Sequence, residues 1–270
     1  MVQKIYFITY GSSKEFSISK KHLISLAKHS GIFEKELSFG FDDLDKEFIE
    51  KYQNILSNKR GGGFWLWKAN IINQTLNIMN ENDILLYMDA GSSFNFHAKK
   101  RFYDYVDILN GNNEVGNFRF ECEPHHIEKE WTSKEVFSYF KVKIESTIGN
   151  STQYEGGHIL FQKNDHTREL MKNFINAVDY DENLITDFYN SKSQIEKFNE
   201  CRHDQSILSI LSKKMGCEAV KNETDFRSRE KSQFDFPILA VRRKGHGLKD
   251  RIKHNLFSSY YKKYPSYFKN

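Results

Sequence analysis

Two acidic residues stand beside apolar segments, at positions where carboxylates often do chemistry. Asp89 follows an apolar strand predicted over Asp83–Met88, and Asp204 precedes an apolar stretch at 207–211. The run ILLYM does not alternate, which indicates a strand covered on both faces, as in a parallel or mixed α/β sheet. Ligands collect at the carboxyl ends of strands in such sheets. Asp89 is therefore the first candidate for ligand or metal binding.

Asp204 lies within the segment Arg202-His203-Asp204-Gln205-Ser206. The apolar residues that follow repeat at helical spacing, so Asp204 is predicted near the N-terminus of a buried helix. The helix dipole favours an ionised carboxylate there. Asp204 is thus a candidate catalytic acid, with the alternative that it only caps the helix.

A glycine run precedes the predicted central helix. Gly61–Gly63 is flanked by Arg60 on one side and by Trp65, Trp67 and Lys68 on the other. Glycines let the backbone approach a ligand, and cationic side chains beside exposed N–H groups at a helix start suit a diphosphate. We predict that Trp65 and Lys68 belong to the site and that Trp67 is a core residue.

Two further segments carry candidate groups. Glu155 precedes Gly156-Gly157 and a predicted strand, so it is either a catalytic carboxylate or a solvated turn residue. The irregular segment at 122–131 contains His125 and His126, with Glu123 and Glu128 nearby. Adjacent histidines on a loop cannot easily face one ion, and the interpretation without a metal is favoured here.

Periodicity predicts the elements that would position these groups. Strands are predicted over 4–10, 36–41, 83–88, 115–121, 158–162 and 236–241. Helices are predicted over 17–29, 44–56, from the glycine run to about 80, 167–178 and after 204, with a loop and short helix over 94–110. The 270 residues suit one large α/β domain.

Charge is distributed unevenly along the chain. The formal net charge is only +4, so a global nucleic-acid footprint is not implied. Nine Lys/Arg and one Asp fall in 242–270, which makes this part the basic one. Arg242, Arg243 and His246 follow the last predicted strand, where the arginines could neutralise a diphosphate.

The basic segment at 249–270 also carries apolar and aromatic residues at helical intervals. Such a segment suits an anionic membrane surface. A helix packed on the domain and an RNA-contacting tail with stacking tyrosines are the alternatives. The residues concerned are Ile252, Leu256, Phe257, Tyr260, Tyr261 and Tyr264.

The compartment follows from cysteine usage and from hydropathy. Cys122, Cys201 and Cys217 have no C-x-x-C spacing, so neither a disulfide framework nor a zinc site is suggested. The N-terminal apolar run is too short for a signal peptide, and no stretch approaches the ~20 apolar residues that span a bilayer. We expect a cytoplasmic protein, either soluble or peripheral on the inner face of a membrane.

Four motifs in this order resemble GT-A type nucleotide-sugar glycosyltransferases of bacterial polysaccharide synthesis and of large viruses. They are KIYFITYGS at 4–12, GGGFWLWK at 61–68, DILLYMDAG at 83–91 and RHDQS at 202–206. The resemblance implies a GT-A-like, Rossmann-related mixed central sheet flanked by helices. It covers 1–245 as one domain and leaves 246–270 as a basic aromatic tail.

The resemblance also assigns roles to residues. A strand-end Asp-x-Asp in these enzymes holds a divalent cation, Mn or Mg, on the donor diphosphate, but this chain has Gly91 in place of the second Asp. Asp89 and His246 are the candidate metal ligands. Acceptor binding falls to His126, Trp131 and His203. Donor binding falls to Thr9, Tyr10, Gly11, Arg60, Trp65, Lys68, Asp89, Gly156, Gln205, Arg242 and Arg243.

The implied activity is transfer of a sugar from a nucleoside-diphosphate sugar, UDP-sugar foremost, to a hydroxyl of a glycan or lipid-linked glycan. The enzyme would be hexosyltransferase-like and would serve surface polysaccharide or glycoconjugate synthesis. Asp204 and Glu155 are the catalytic candidates, with Asp204 either an acceptor base or a donor-sugar ligand. The alternative is a catalytically inactive protein that binds nucleotide-sugars or nucleic acid.

Overall fold

A computed structural model describes residues 2–225 and 235–241 of the chain. Arg242, Arg243, His246 and the predicted tail at 246–270 lie outside the described residues, so their assigned roles stay predictions. Among the described helices, none combines the length and the apolar character needed to cross a membrane.

A six-stranded mixed sheet forms the centre of the molecule, in the order β2-β1-β3-β6-β5-β7. β1 pairs in parallel with β2 and β3, whereas β6 runs antiparallel to both β3 and β5. A short second sheet pairs β4 with β8. The strands are β1 (Ile5–Tyr10), β2 (Lys35–Phe39), β3 (Ile84–Met88), β4 (Ser93–Phe94), β5 (Asn117–Glu121), β6 (Tyr154–Gln162), β7 (Glu218–Val220) and β8 (Ile238–Leu239).

Helices cover both faces of the central sheet. They are α1 (Lys14–Ser30), α2 (Lys46–Lys51), α3 (Gln53–Leu56), α4 (Gly61–Phe64), α5 (Trp67–Ile78), α6 (Lys99–Asn110), α7 (Glu128–Trp131), α8 (Lys134–Tyr139), α9 (Asp165–Tyr180) and α10 (Asp204–Met215). One core cluster packs α5, α9 and α10 on one face, and another packs α1 and α6 on the other. Every residue of β3 is buried because the two clusters cover both of its faces, as the unalternating run predicts.

Several predicted elements differ from the structure. The helix predicted over 44–56 is broken at Tyr52 into α2 and α3. The segment over 94–110 forms the short strand β4 and the twelve-residue helix α6. The strand predicted at 158–162 begins earlier, at Tyr154, because its first residues pair with β5 across a bulge between Arg119 and Glu121. The predicted closing strand shrinks to Ile238–Leu239 and pairs with β4 instead of joining the central sheet.

Candidate active site

A cavity of about 680 Å³ opens at the carboxyl ends of β1 and β3. This volume falls within the range of small-molecule and cofactor sites, and the location is the usual ligand position of open α/β sheets. Its described lining residues come from segments 10–16, 59–67, 89–92, 122–126, 155–158, 202–205 and 222–225, and from Ala240.

Asp89 faces the cavity directly after β3. Tyr87 Oη donates a hydrogen bond to Asp89 Oδ1 at 2.5 Å, and the Asp89 N–H donates to the Gly157 carbonyl at 2.8 Å. A methyl group on Gly157 would lie 2.9 Å from Asp89 Oδ2, which is too close for an alanine. Gly157 therefore leaves the space in which the Asp89 carboxylate sits against β6.

Asp204 does not line the cavity. It forms a buried ion pair with Lys68, whose Nζ also donates to the Gly156 carbonyl at 2.6 Å. Burial raises the pKa of the Asp204 carboxyl, and the adjacent Lys68 ammonium opposes that rise. A methyl group on Gly156 would meet Gln205 Cβ at 2.8 Å, so glycine is needed where α10 crosses β6.

Two adjacent glycines of β6 leave room for the two carboxylates. Gly156 lies 3.3 Å from Asp204 Oδ2 at its missing Cβ position, and Gly157 contacts Asp89 in the same way. Asp89 alone of the two opens into the cavity. Lys68, predicted to bind phosphate, is 1% exposed and lies behind the cavity wall instead.

The glycine run forms a left-handed turn. Five consecutive residues, 61–65, have φ between 52° and 97°, and two of them are Phe64 and Trp65. Such a conformation is costly for residues with a Cβ, at roughly 1–2 kcal/mol each. The N–H groups of Gly62 and Gly63 donate to the Lys59 and Arg60 carbonyls, so the turn uses donors that the sequence assigned to a diphosphate.

The turn builds an aromatic wall, which we define as Tyr10, Trp65 and Trp67. Tyr10 and Trp67 are stacked at 3.7 Å between ring centroids, and Trp67 Nε1 donates to the Gly61 carbonyl at 2.8 Å. All three side chains line the cavity. Trp67, predicted to be a core residue, is therefore both buried and part of the wall.

Arg60 and Thr9 lie away from this wall. Arg60 pairs with Asp187 at 3.1 Å and with Glu200 at 2.9 Å, and it does not line the cavity. Thr9 is fully buried within β1 and also does not line it. Tyr10 and Gly11, at the end of β1, do line it, as does Gln205.

The residues predicted to bind an acceptor are separated in the structure. His126 lines the cavity, whereas Trp131 does not and packs under the Arg202 guanidinium at 4.1 Å. His203 is buried, its Nδ1 is 2.8 Å from the Ile185 carbonyl, and burial lowers its pKa. Arg202, which the sequence did not single out as a ligand contact, lines the cavity instead.

Glu123, His125 and His126 form a cluster at the cavity. Their ligand atoms lie within 4.8 Å of one another, and Glu123 Oε2 is 3.4 Å from His125 Nε2 and 3.8 Å from His126 Nδ1. The expectation that adjacent histidines diverge is wrong for this turn. Glu128 takes no part, because it is fully buried and bonded to Thr132 and Lys213.

A polar wall faces the cavity, which we define as Asp89, Ser92, Glu155 and His158. His158 Nε2 is 2.7 Å from Ser92 Oγ, and His158 Nδ1 is 2.7 Å from Glu155 Oε2. The sequence singled out neither Ser92 nor His158. No local signal brings them together, because their contact depends on the pairing of Met88 with His158 between β3 and β6.

Within the described part of the chain, the lining carries more acid than base. Its carboxylates are Asp89, Glu123, Glu155 and Asp225, and its full cations are Lys59 and Arg202. Arg60 and Lys68, predicted from the sequence to bind the donor, are not among these described lining residues. Any basic contribution from Arg242 and Arg243 lies outside them.

Searches of protein-family models and of curated proteins match nothing, whereas solved structures do match. A glycosyltransferase involved in glycosylation of the major capsid of PBCV-1 superposes with a TM-score of 0.54 at 10% identity, over 94% of this chain and 99% of that one. The chain has a GT-A-like glycosyltransferase fold. Mouse xyloside xylosyltransferase 1 matches with a TM-score of 0.48 at 9% identity, over 90% of this chain and 95% of that one.

The comparison confirms the fold class and the resemblance expressed by the four sequence motifs. At 10% identity it concerns the fold and leaves the roles of individual residues to chemistry. The GT-A-like sheet places its cavity where strands β1 and β3 end, which is where Asp89 and the aromatic wall meet.

Proposed function

We propose that this GT-A-like chain transfers a sugar from a nucleoside-diphosphate sugar to a hydroxyl of a glycan or lipid-linked glycan. The observation that carries the proposal is the cavity itself. It places a carboxylate, Asp89, opposite an aromatic wall at the carboxyl ends of two parallel strands. Its volume of about 680 Å³ suits a nucleotide-sugar.

The aromatic wall suits the nucleobase. Base stacking on aromatic side chains contributes about 1–3 kcal/mol per base and tolerates any base. Gly11 and Gly62 beside the wall leave room for the ribose, and both line the cavity. A UDP-sugar is the donor we propose, on the family resemblance of the motifs rather than on any base-specific contact.

The acidic lining favours a bound cation for the diphosphate. Among the described lining residues, four carboxylates and two cations repel an anionic donor unless positive charge is added. Asp89 offers one ligand to a cation, while Glu123, His125 and His126 offer three close to one another. Imidazole nitrogen suits zinc, whereas the carboxylates of Asp89 and Glu123 suit magnesium or manganese. A cation held there would neutralise charge on the leaving diphosphate.

Asp204 and Lys68 hold the site in place. Lys68 connects Asp204 on α10 with the Gly156 carbonyl on β6, and its Nζ lies 4.8 Å from the Tyr87 ring centroid. Tyr87 in turn donates to Asp89. The pair therefore supports the strand end that carries Asp89, and neither member reaches the cavity.

The proposal is tested by thermal stabilisation with a panel of nucleotide-sugars, with and without manganese, followed by transfer assays. Asp89→Asn removes the charge at nearly constant shape. We expect it to abolish manganese-dependent stabilisation by the donor and to lower transfer at least ~100-fold. Asp165→Asn is the matched control, because Asp165 is 99% exposed and lies outside the cavity.

Unchanged donor binding and turnover in Asp89→Asn would remove Asp89 from the site. A second candidate function is an inactive nucleotide-sugar-binding protein. Two observations favour it. Gly91 stands where the related enzymes have the second metal-binding Asp, and the Asp204 carboxylate is held in an ion pair with Lys68. Saturable donor binding with neither transfer nor donor hydrolysis would support this candidate.

A lipid-linked acceptor is proposed from the sequence of 249–270 alone. The full chain should co-sediment with vesicles that contain anionic lipid and should not co-sediment with neutral vesicles. Equal sedimentation with both, or with neither, would argue for a soluble glycan acceptor.

A further inference from the structure

Ser92, His158 and Glu155 form a chain of hydrogen bonds at the cavity. The Ser92 Oγ to His158 Nε2 distance and the His158 Nδ1 to Glu155 Oε2 distance are both 2.7 Å. Ser92 and His158 are each 4% exposed, and all three residues line the cavity. A hydroxyl, an imidazole and a carboxylate are thus aligned in the order used to remove a proton from an alcohol.

The carboxylate end of this chain is held in one orientation. Glu155 Oε1 accepts a hydrogen bond from Thr224 Oγ1, which leaves Oε2 for the imidazole. A carboxylate beside Nδ1 favours the tautomer with the proton on Nδ1. His158 Nε2 is then an acceptor, and the Ser92 hydroxyl donates to it.

The backbone of β6 lies next to Asp89. His158 pairs with Met88, and the neighbouring Gly157 carbonyl accepts the Asp89 N–H at 2.8 Å. Ser92 closes the same turn, because its N–H donates to the Asp89 carbonyl at 2.9 Å. The hydroxyl and the Asp89 carboxylate are therefore held within one four-residue turn that borders the cavity.

We propose that Ser92, His158 and Glu155 are the base that takes the proton from the acceptor hydroxyl. This inference rests on the proposed transferase function. The acceptor oxygen forms a bond to the anomeric carbon, while the bond from that carbon to the diphosphate oxygen breaks and leaves its electron pair on the diphosphate. The acceptor proton passes to Ser92 Oγ as the Ser92 proton passes to His158 Nε2. Glu155 stabilises the resulting imidazolium.

Asp204 is a weaker candidate for the base. It is buried against Lys68 and does not line the cavity, so an acceptor hydroxyl cannot reach it without displacing that pair. In this scheme the acceptor oxygen displaces the diphosphate in one in-line step with no covalent enzyme intermediate, so the product has the inverted anomeric configuration.

A nucleophilic role for Ser92 is disfavoured by its backbone. In serine hydrolases, the N–H of the nucleophile often helps to bind the oxyanion. The Ser92 N–H is already used by the Asp89 carbonyl. Covalent labelling of Ser92 by a fluorophosphonate probe would overturn the proposed base and indicate an acyl-transfer site.

The test separates donor binding from turnover in His158→Gln and Ser92→Ala. We expect donor-induced thermal stabilisation to match the wild type, and single-turnover transfer to fall ~100-fold to 10,000-fold in His158→Gln. His29→Gln is the control, because His29 is exposed on α1 and outside the cavity.

Three results distinguish failure of the proposed base from failure of the transferase proposal. Inverted product with the losses above supports the base. Wild-type turnover in His158→Gln, or a product with retained configuration, overturns the base while leaving the transferase intact. Failure of every nucleotide-sugar to stabilise the wild-type protein overturns the transferase proposal and the base together.

Discussion

The aromatic wall and the polar wall of the cavity differ in how far apart their residues lie along the chain. Trp65 and Trp67 lie in one eight-residue segment, and only Tyr10 joins them from elsewhere. The polar wall joins the end of β3 to β6, so that Ser92 and His158 meet across 66 positions of chain. A local segment can shape a binding surface, whereas aligned proton-transfer groups here require a strand register.

The two walls should fail differently when altered. Damage to the aromatic wall weakens donor affinity, because stacking contributes to the ground state and to the transition state alike. Damage to the polar wall, or to its support, reduces turnover or folding. The following variants test this difference from the largest expected effect to the smallest.

Lys68→Met breaks the support of the polar wall. It leaves the Asp204 carboxylate buried without a cation, and loss of one partner of a buried pair costs about 3–5 kcal/mol of unfolding free energy. Chemical denaturation measures the loss. The double variant Lys68→Met/Asp204→Asn removes both charges and should recover most of it; equal instability of both proteins would refute the pairing.

The stability of the Lys68→Met variant should also depend on pH in a defined direction. Burial raises the pKa of Asp204, and Lys68→Met removes the charge that opposes the rise. In the window between the unfolded and the raised folded pKa, the folded state binds more protons than the unfolded state, so stability falls as pH rises. We expect Lys68→Met to gain stability relative to wild type as pH falls from 7 toward 5. A constant difference across that range would contradict this account.

Trp65→Ala breaks the aromatic wall at its most local point. Donor affinity should fall by about 1–3 kcal/mol if a nucleobase stacks there. Calorimetric titration with the nucleoside diphosphate measures the change. Phe188→Ala is the control, since Phe188 is 71% exposed and lies outside the cavity. A lower turnover with unchanged donor affinity would show that the nucleobase does not stack on Trp65.

Arg60→Ala is expected to have the smallest effect. Its guanidinium is occupied by Asp187 and Glu200 at a surface where such pairs contribute about 0–1 kcal/mol. Donor affinity should stay within about two-fold of wild type, as measured by the same titration. A loss above ten-fold would restore the sequence-based assignment of Arg60 to the diphosphate.

Much of the fold follows from local pattern. The unalternating ILLYM run predicts a strand buried on both faces, and β3 is such a strand. The helical spacing after Asp204 predicts α10 correctly, because one apolar face of the helix meets the core. The glycine run predicts an unusual backbone, and residues 61–65 are left-handed.

The candidate site is less predictable, since it depends on side-chain directions. Lys68 and Arg60 flank the same glycine run, but Lys68 turns inward to Asp204 and Arg60 turns outward to Asp187 and Glu200. Spacing along the chain carries no information about either partner. His125 and His126 converge with Glu123 because of a turn whose geometry adjacent residues alone do not reveal.

The sequence by itself determined the α/β class, the GT-A-like resemblance and the place of Asp89 at a strand end, because each depends on hydrophobic periodicity and short motifs. The tertiary structure decided which charged groups face the cavity and which neutralise one another inside the protein. The physical reason is that burial and pairing depend on contacts between distant segments. Gly156 and Gly157 show this best, since a Cβ on either would crowd a carboxylate that comes from a distant segment of the chain.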